Sequence, residues 1–377
     1  MISRATSSNV SQTSWCGAHQ RRGKSQSTVC RADRTVGDSQ RVRFKDGTDT
    51  AFCPILNGCW TLAGGHGREV FNNIEEKLAA HASAGFTTFD TADIYGPSER
   101  ILGKFQQDWR EQGNEPVQIF TKYVPNIFRS RPGPRDVEQA VKTSLENLRL
   151  SSLELVQLHW WDYGIPGMVD TAKALKDCQE KGMIKSLGAT NIGVDALTQI
   201  VDAGVPMVSN QVQFSLLDRR PLNGMVQYCQ ENDIRLLTYG SVGGGLLSDR
   251  YVEQPEKGLF GKAKYKEVEQ STSSQKMYYR MVNYFGGTDL WRELLQTMDG
   301  VAKKHDVSVA NVALKWVMSQ GNGNMVHPIV GLRNTSHILD NARTFALVLD
   351  AEDFQAIDDI LARAKGPNGD IYSFERA

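Results

Sequence analysis

Residues 118–159 read QIFTKYVPNIFRSRPGPRDVEQAVKTSLENLRLSSLELVQLH. A β-prone run, Gln118–Lys122, gives way to a longer segment of helical periodicity, Arg135–Leu148, and then to a second β-prone run, Leu155–His159. The same beat recurs on either side. Working outward, the candidate strands are Cys53–Gly58, Thr87–Asp90, Gln118–Lys122, Leu155–His159, Ile184–Ala189, Val208–Gln211, Arg235–Tyr239 and His327–Val330. Ile74–Ala84, Met168–Lys181, Val226–Asn232 and Leu290–His305 are further helical stretches between them. Regular alternation of strand and helix predicts parallel strands joined by crossover helices. Eight such units predict an α/β fold closed on itself, a single (β/α)8 TIM barrel, rather than an open sheet.

Ahead of the first unit, Arg41–Phe44, the turn Lys45-Asp46-Gly47-Thr48 and Thr50–Leu56 predict an N-terminal β-hairpin. Tyr251–Gly287 is polar, Lys-rich and bounded by Gly. It is too long for a simple connection and is expected to form a long functional loop after strand 7. No composition break divides the chain after residue 40, so residues 41–377 are expected to form one domain.

The whole chain has 377 residues, with 43 Lys and Arg against 43 Asp and Glu, 40% apolar and 23% charged residues. That balance belongs to an ordinary globular protein and argues against a chain built to coat nucleic acid. No apolar run is long enough to span a membrane as a helix. Six Cys without a CxxC pair argue against a disulfide framework or a Cys-rich zinc site, the His residues show no metal-ligand spacing, and no metal is expected. Residues 1–32 differ from the rest. They hold no Asp or Glu, five basic residues (Arg4, Arg21, Arg22, Lys24, Arg31), seven Ser and three Thr. A Ser-rich, acid-poor leader without an apolar centre predicts an organelle transit peptide over residues 1–40. The Val29-Cys30-Arg31-Ala32 run resembles plastid processing sites, so chloroplast is expected, with mitochondrion as the rival address and a solvated tail as the plain alternative.

In barrels of this kind chemistry sits where strands end and the next loops begin. Asp90 ends the second strand and Tyr95 lies five residues on; Lys122 ends the third strand and His159 the fourth. Each has an ordinary reading: a turn cap, a half-buried packing residue, a solvated strand end, a satisfied core histidine. Four together on three successive strand ends of one rim point to a site.

Phe89-Asp90-Thr91-Ala92-Asp93-Ile94-Tyr95-Gly96, Phe120-Thr121-Lys122 and Leu158-His159-Trp160 resemble the signatures of the aldo-keto reductases. The resemblance continues through Gly188-Ala189-Thr190-Asn191, Asn210-Gln211-Val212-Gln213, Leu237-Thr238-Tyr239 and Val330-Gly331-Leu332-Arg333, then Asp340-Asn341, covering roughly residues 41–350. It is closer to the plant, algal and bacterial branches than to the animal ones. It implies an NADPH-dependent reductase of aldehydes and ketones, with a nicotinamide supplying the hydride and Tyr95 the proton. Lys122 would lower the phenol's pKa, Asp90 would pair with Lys122, and His159 would donate a hydrogen bond to the carbonyl oxygen.

The cofactor residues also follow from the resemblance. The run Gly65-His66-Gly67-Arg68-Glu69-Val70 lacks the third Gly of a Rossmann fingerprint. Thr190, Asn191 and Gln211 match positions that hold the nicotinamide amide, Tyr239 the residue stacked on its ring, and Gly331, Arg333, His337 and Asn341 the grip on the adenosine end. Arg333 could pair with a 2′-phosphate, favouring NADPH over NADH. The chain departs from the family at His337, Asp340 and Thr190, where Arg or Gln, Glu, and Ser are common. Trp60, Ile94, Tyr123, Trp160 and Trp161 are expected to wall an apolar substrate pocket, the alternative being ordinary aromatic packing. Cys59 stands near enough to be redox-sensitive, although a buried Cys is ordinarily a small core residue. A small-molecule carbonyl substrate and a monomer are expected. Two other readings share the resemblance: a nucleotide-binding regulatory subunit, as in the potassium-channel beta subunits, and an enzyme acting mainly as an alcohol dehydrogenase.

Overall fold

A computed structural model describes residues 36–64, 71–252, 256–257, 263–264, 268, 270, 273–332 and 334–373. The expected leader up to residue 35, the Gly65–Val70 run and Arg333 lie outside the described residues. Eight parallel strands close into a barrel in chain order: β1 (Leu56–Gly58), β2 (Thr88–Asp90), β3 (Gln118–Tyr123), β4 (Leu153–His159), β5 (Ile184–Thr190), β6 (Met207–Gln213), β7 (Arg235–Tyr239) and β8 (Val326–Gly331). β8 pairs with both β7 and β1, which closes the ring. All eight expected strands are present, Arg235–Tyr239 with the bounds expected and the other seven with shifted ones. The first loses the most residues. Pro54 has no N–H to give a ladder, and the Cys53 N–H donates instead to Thr88 Oγ1 at 2.8 Å, so β1 begins only at Leu56.

The helices α1 (Ile74–Ser83), α2 (Ser98–Glu111), α3 (Pro134–Leu148), α4 (Met168–Glu180), α5 (Val194–Asp202) and α6 (Met225–Glu231) surround the ring, each between two consecutive strands. The long excursion after β7 exists, but its second half is not a loop. Residues 273–285 form α7 (Ser273–Phe285), which buries Met281, Val282 and Phe285, a spacing of one helical face. Then come α8 (Thr288–Lys304) and α9 (Val309–Met318) before β8, and α10 (Ile338–Ala346) and α11 (Ala351–Leu361) after it.

The expected hairpin closes the N-terminal end of the barrel. Val42 and Arg43 pair antiparallel with Phe52 and Ala51. The turn is held by Asp46, whose carboxylate accepts from the Thr48 N–H at 3.0 Å and hydroxyl at 2.7 Å, while Gly47 takes a φ of 79° that its missing side chain permits. Val42, Phe44 and Phe52 then pack onto Leu56, Phe120, Leu155, Leu237 and Ile329, which point into the barrel. Val36–Gln40, ahead of the expected domain start, also belongs to the folded body: Val36 is buried and its N–H donates to the Ala84 carbonyl at 3.1 Å.

Candidate active site

The opposite rim carries the charged residues. β2 ends at Asp90, and Lys122 lies near the end of the neighbouring β3. Both side chains are buried, and they meet: Lys122 Nζ donates to Asp90 Oδ2 at 2.7 Å and to the Thr91 carbonyl at 2.8 Å. Two opposite charges withdrawn from water remain charged only if each satisfies the other. The ammonium lies 5.0 Å from the centroid of the Tyr95 ring and within hydrogen-bonding reach of its hydroxyl. Tyr95 is half-buried in the β2–α2 loop. Its N–H donates to the Ala92 carbonyl and its own carbonyl accepts from Ser98 N, both at 3.1 Å, so consecutive turns fix the ring's position.

Burial pushes the Tyr95 phenol up, the Lys122 ammonium pulls it down and the Asp90 carboxylate pushes it up again; the phenol ends above the ordinary tyrosine value. Lys122 lowers the phenol's pKa as expected, yet the net shift is upward. The cation's pull is present, but desolvation outweighs it, and at neutral pH the group is a protonated phenol. For Lys122, burial lowers the pKa while Asp90 and Tyr95 raise it by more, so the ammonium form is secured.

Lys122 is level with Gln157 of β4, and His159 lies one inward-facing position further toward the rim. The His159 ring is buried, 4.4 Å from the Trp161 ring and 5.6 Å from that of Tyr372. Tyr372 arrives from the tail after α11, more than two hundred residues away in sequence.

The residues expected around a cofactor are arranged in two groups. Thr190 ends β5 and Asn191 follows in the left-handed region at φ 55°. The Tyr239 hydroxyl donates to Asn191 Oδ1 at 3.0 Å, and the Tyr163 hydroxyl donates to the Asn191 carbonyl at 3.2 Å. Gln211 reaches inward instead, its Nε2 donating to Asp90 Oδ1 at 2.7 Å. In the second group, Gly331 ends β8, His337 is exposed in the turn before α10, and Asn341 is half-buried on α10. Asp340 points to the scaffold, accepting from Ser308 Oγ at 2.8 Å. After β7, Gly244 takes φ 64°, and a Cβ there would collide with the Tyr278 ring of α7, so only glycine lets this helix close on the loop.

Of the expected pocket wall, Trp60 and Ile94 are 51% and 49% exposed, and the Trp60 ring meets Tyr95 edge-on at 4.9 Å between centroids. Trp160 and Tyr123 do not line the mouth. Each follows an inward-facing residue, His159 or Lys122, so strand alternation turns it outward into the layer between barrel and helices. There both join the main core, and the Trp160 indole donates to the Ile165 carbonyl at 3.1 Å. Trp161 takes the place beside His159. Cys59 is fully buried, and burial followed by the Asp90 charge pushes its thiol far up, which removes thiolate reactivity. Gln157, two residues before His159 on β4, lies on the same face, a placement that strand alternation makes legible in the sequence. Tyr372 carried no local signal at all.

The family model of the aldo/keto reductase family matches residues 54–362. The chain belongs to the aldo/keto reductase family. This aldo/keto reductase is 28% identical over 308 residues, 76% of its length and 77% of the relative's, to a protein named pyridoxal reductase, chloroplastic, of Arabidopsis thaliana. It is 27% identical over 323 residues, 83% of its length and 85% of the relative's, to probable aldo-keto reductase 1 of Glycine max. Its fold is similar to that of a glycerol dehydrogenase of Gluconobacter oxydans, with a TM-score of 0.71, 22% identity and coverage of 88% of this chain and 98% of that one. An aldo/keto reductase of Klebsiella pneumoniae, solved in complex with NADP and acetate, gives a TM-score of 0.63 at 21% identity, covering 88% and 97%. As a family member the chain is an NAD(P)-dependent oxidoreductase acting on carbonyl or CH–OH groups.

Proposed function

We propose that this aldo/keto reductase uses NADPH to reduce aldehydes and ketones, with Tyr95 delivering the proton. The observation that carries the reading is the Lys122 ammonium, buried between the Asp90 carboxylate and the Tyr95 phenol at the rim of the barrel. Protonating a carbonyl oxygen at neutral pH requires an acid that still holds its proton and a cation ready to stabilise the phenolate left behind. Tyr95 satisfies the first requirement, because burial keeps its phenol protonated. Lys122 satisfies the second, and Asp90 keeps it charged and aimed. His159, on the same face of β4, is suited to donate a hydrogen bond to the substrate oxygen and stabilise charge as it develops.

A nicotinamide, when bound, supplies the hydride. The residues present fit such a group. Thr190 Oγ1 and both amide atoms of Gln213 are buried at the ends of β5 and β6 with no hydrogen-bond partner among the described residues. Each such group costs about 1–3 kcal/mol until a partner arrives, so the rim is prepared for a polar ligand such as a carboxamide. Thr190, Asn191 and Tyr239 would hold that end, and Gly331, Arg333, His337 and Asn341 the adenosine end. Trp60, Ile94 and Trp161 offer apolar, flat surfaces. They suit aromatic or medium-chain carbonyls, and pyridoxal, in the name of the Arabidopsis relative, is a polar example of the same flat class. That relative's chloroplast address and the acid-poor leader support a plastid transit peptide before the barrel domain.

The test is Tyr95→Phe, assayed by NADPH oxidation against aldehydes, ketones, quinones and pyridoxal. Carbonyl reduction is expected to fall by roughly 10²–10⁴-fold, while the NADPH dissociation constant changes by less than about twofold. Undiminished turnover would sink the assignment. Nucleotide binding with no turnover of any member by the unaltered protein would favour the regulatory reading instead. A lower KM for NADH than for NADPH would remove the role given to Arg333.

A further inference from the structure

We infer that Gln157 is a positioning residue for this chemistry: with Gln211 it clamps one oxygen of Asp90 and so holds Lys122 in register with Tyr95. The inference rests on the reading of Tyr95 just proposed. Asp90 uses Oδ2 for Lys122, and a carboxylate with only one partner can turn about its Cβ–Cγ bond and offer either oxygen. Here Oδ1 is held as well. Gln211 Nε2 donates to it at 2.7 Å and Gln157 Nε2 at 3.1 Å. The Gln157 amide is itself oriented, since its Oε1 accepts from Gln211 Nε2 at 3.0 Å. Every contact in the triangle joins a donor to an acceptor, and Gln157 and Gln211 are both buried.

The chemistry of the clamp is specific. Two amides fix the carboxylate without adding charge, so Asp90 remains matched to Lys122 alone. A cation in place of Gln157 would compete with Lys122, and an alkyl group would leave Oδ1 with one donor. Space for Gln157 is built into the neighbouring strand. Gly188 is its partner on β5, and a Cβ there would collide first with Ser209 Oγ at 2.3 Å and also crowd Gln157 Cγ at 3.2 Å. Gln157 acts through Asp90 and Lys122.

Two variants test it. Gln157→Leu keeps the volume and removes the N–H. Carbonyl reduction is expected to drop roughly 5- to 30-fold in kcat, with KM for NADPH changed less than about threefold. The basic limb of the kcat/KM profile should move up by about half a unit to one unit, because a loosened Lys122 pulls less on the Tyr95 proton. Gln157→Glu gives a sharper readout. While protonated, its carboxyl O–H can donate to Asp90 in place of the amide; once ionised, it sets a second negative charge against the first. Its activity relative to the unaltered enzyme should therefore be highest at low pH and fall as pH rises, a dependence that a packing role does not produce. A pH-independent ratio for Gln157→Glu, or a Gln157→Leu profile superimposable on the original, would overturn the inference. Full activity in Tyr95→Phe would instead overturn the reading beneath it, so the two failures are distinguishable.

Discussion

At one end of the barrel Phe44, Phe52 and Phe120 pack together at 4.8–5.7 Å between ring centroids, with the His327 ring edge-on to Phe52 at 5.1 Å. At the other end Asp90, Lys122, Gln157 and Gln211 share a chain of hydrogen bonds. The same strands supply both: β3 carries Phe120 into the plug and Lys122 into the site, two residues apart on one face. The plug is apolar burial, which is non-directional and contributes to stability. The site is paired charge in low dielectric, where a missing partner is costly and a neutral replacement is often tolerated by the fold. Stability and chemistry thus meet within two residues of one strand, on opposite sides of its midpoint.

The separation makes sharp predictions. Phe52→Ala should remove roughly 3–5 kcal/mol of stability by opening a cavity under the barrel, read as a lower urea midpoint, while kcat of the folded fraction is unchanged. A comparable loss of kcat would break the division between the two ends. The next largest effect concerns acid. Burial, then the charge of Arg235, holds His327 down at about 3, well below the usual histidine value. The unfolded chain takes up that proton first, so stability must fall as pH drops below ~6.5, by about 2 kcal/mol at pH 5. His327→Leu should shrink the difference in unfolding free energy between pH 7 and pH 5, read from urea titrations, by that amount; an unchanged difference would show that the plug is not acid-sensitive. The smallest effect belongs to the helical shell. Lys104 bridges Glu75 at 2.7 Å and Asp108 at 2.8 Å on an exposed face, where water and salt screen the pair. Lys104→Ala should leave the urea midpoint within measurement error, and a clear shift would mean that the shell shares the load assigned to the plug.

Residue type and spacing announced the barrel because each strand is a short β-prone run between longer periodic segments, a local property. They announced Asp90, Tyr95, Lys122 and His159 because these stand at or just past strand ends. What they obscured has physical causes. α7 lies in a polar, Tyr-rich stretch, and its apolar face of Met281, Val282 and Phe285 becomes visible only once something packs on it. Tyr123 and Trp160 were misplaced because composition marks them as aromatic but strand parity decides which way they face. Gln157 follows the same parity, but its apolar neighbours make the run read as an ordinary buried strand.

The chain's own order of residues determined how many strands there are, that they run parallel, and that a phenol, an amine, a carboxylate and an imidazole lie near one rim. Only the folded molecule decided how these groups act on one another. Propensity depends on neighbours in sequence, whereas the proton affinity of a buried phenol depends on everything around it in space. Here that sum includes desolvation, an ammonium 27 residues further along the chain and a carboxylate five residues before it. Such contributions oppose one another, and geometry alone sets which prevails.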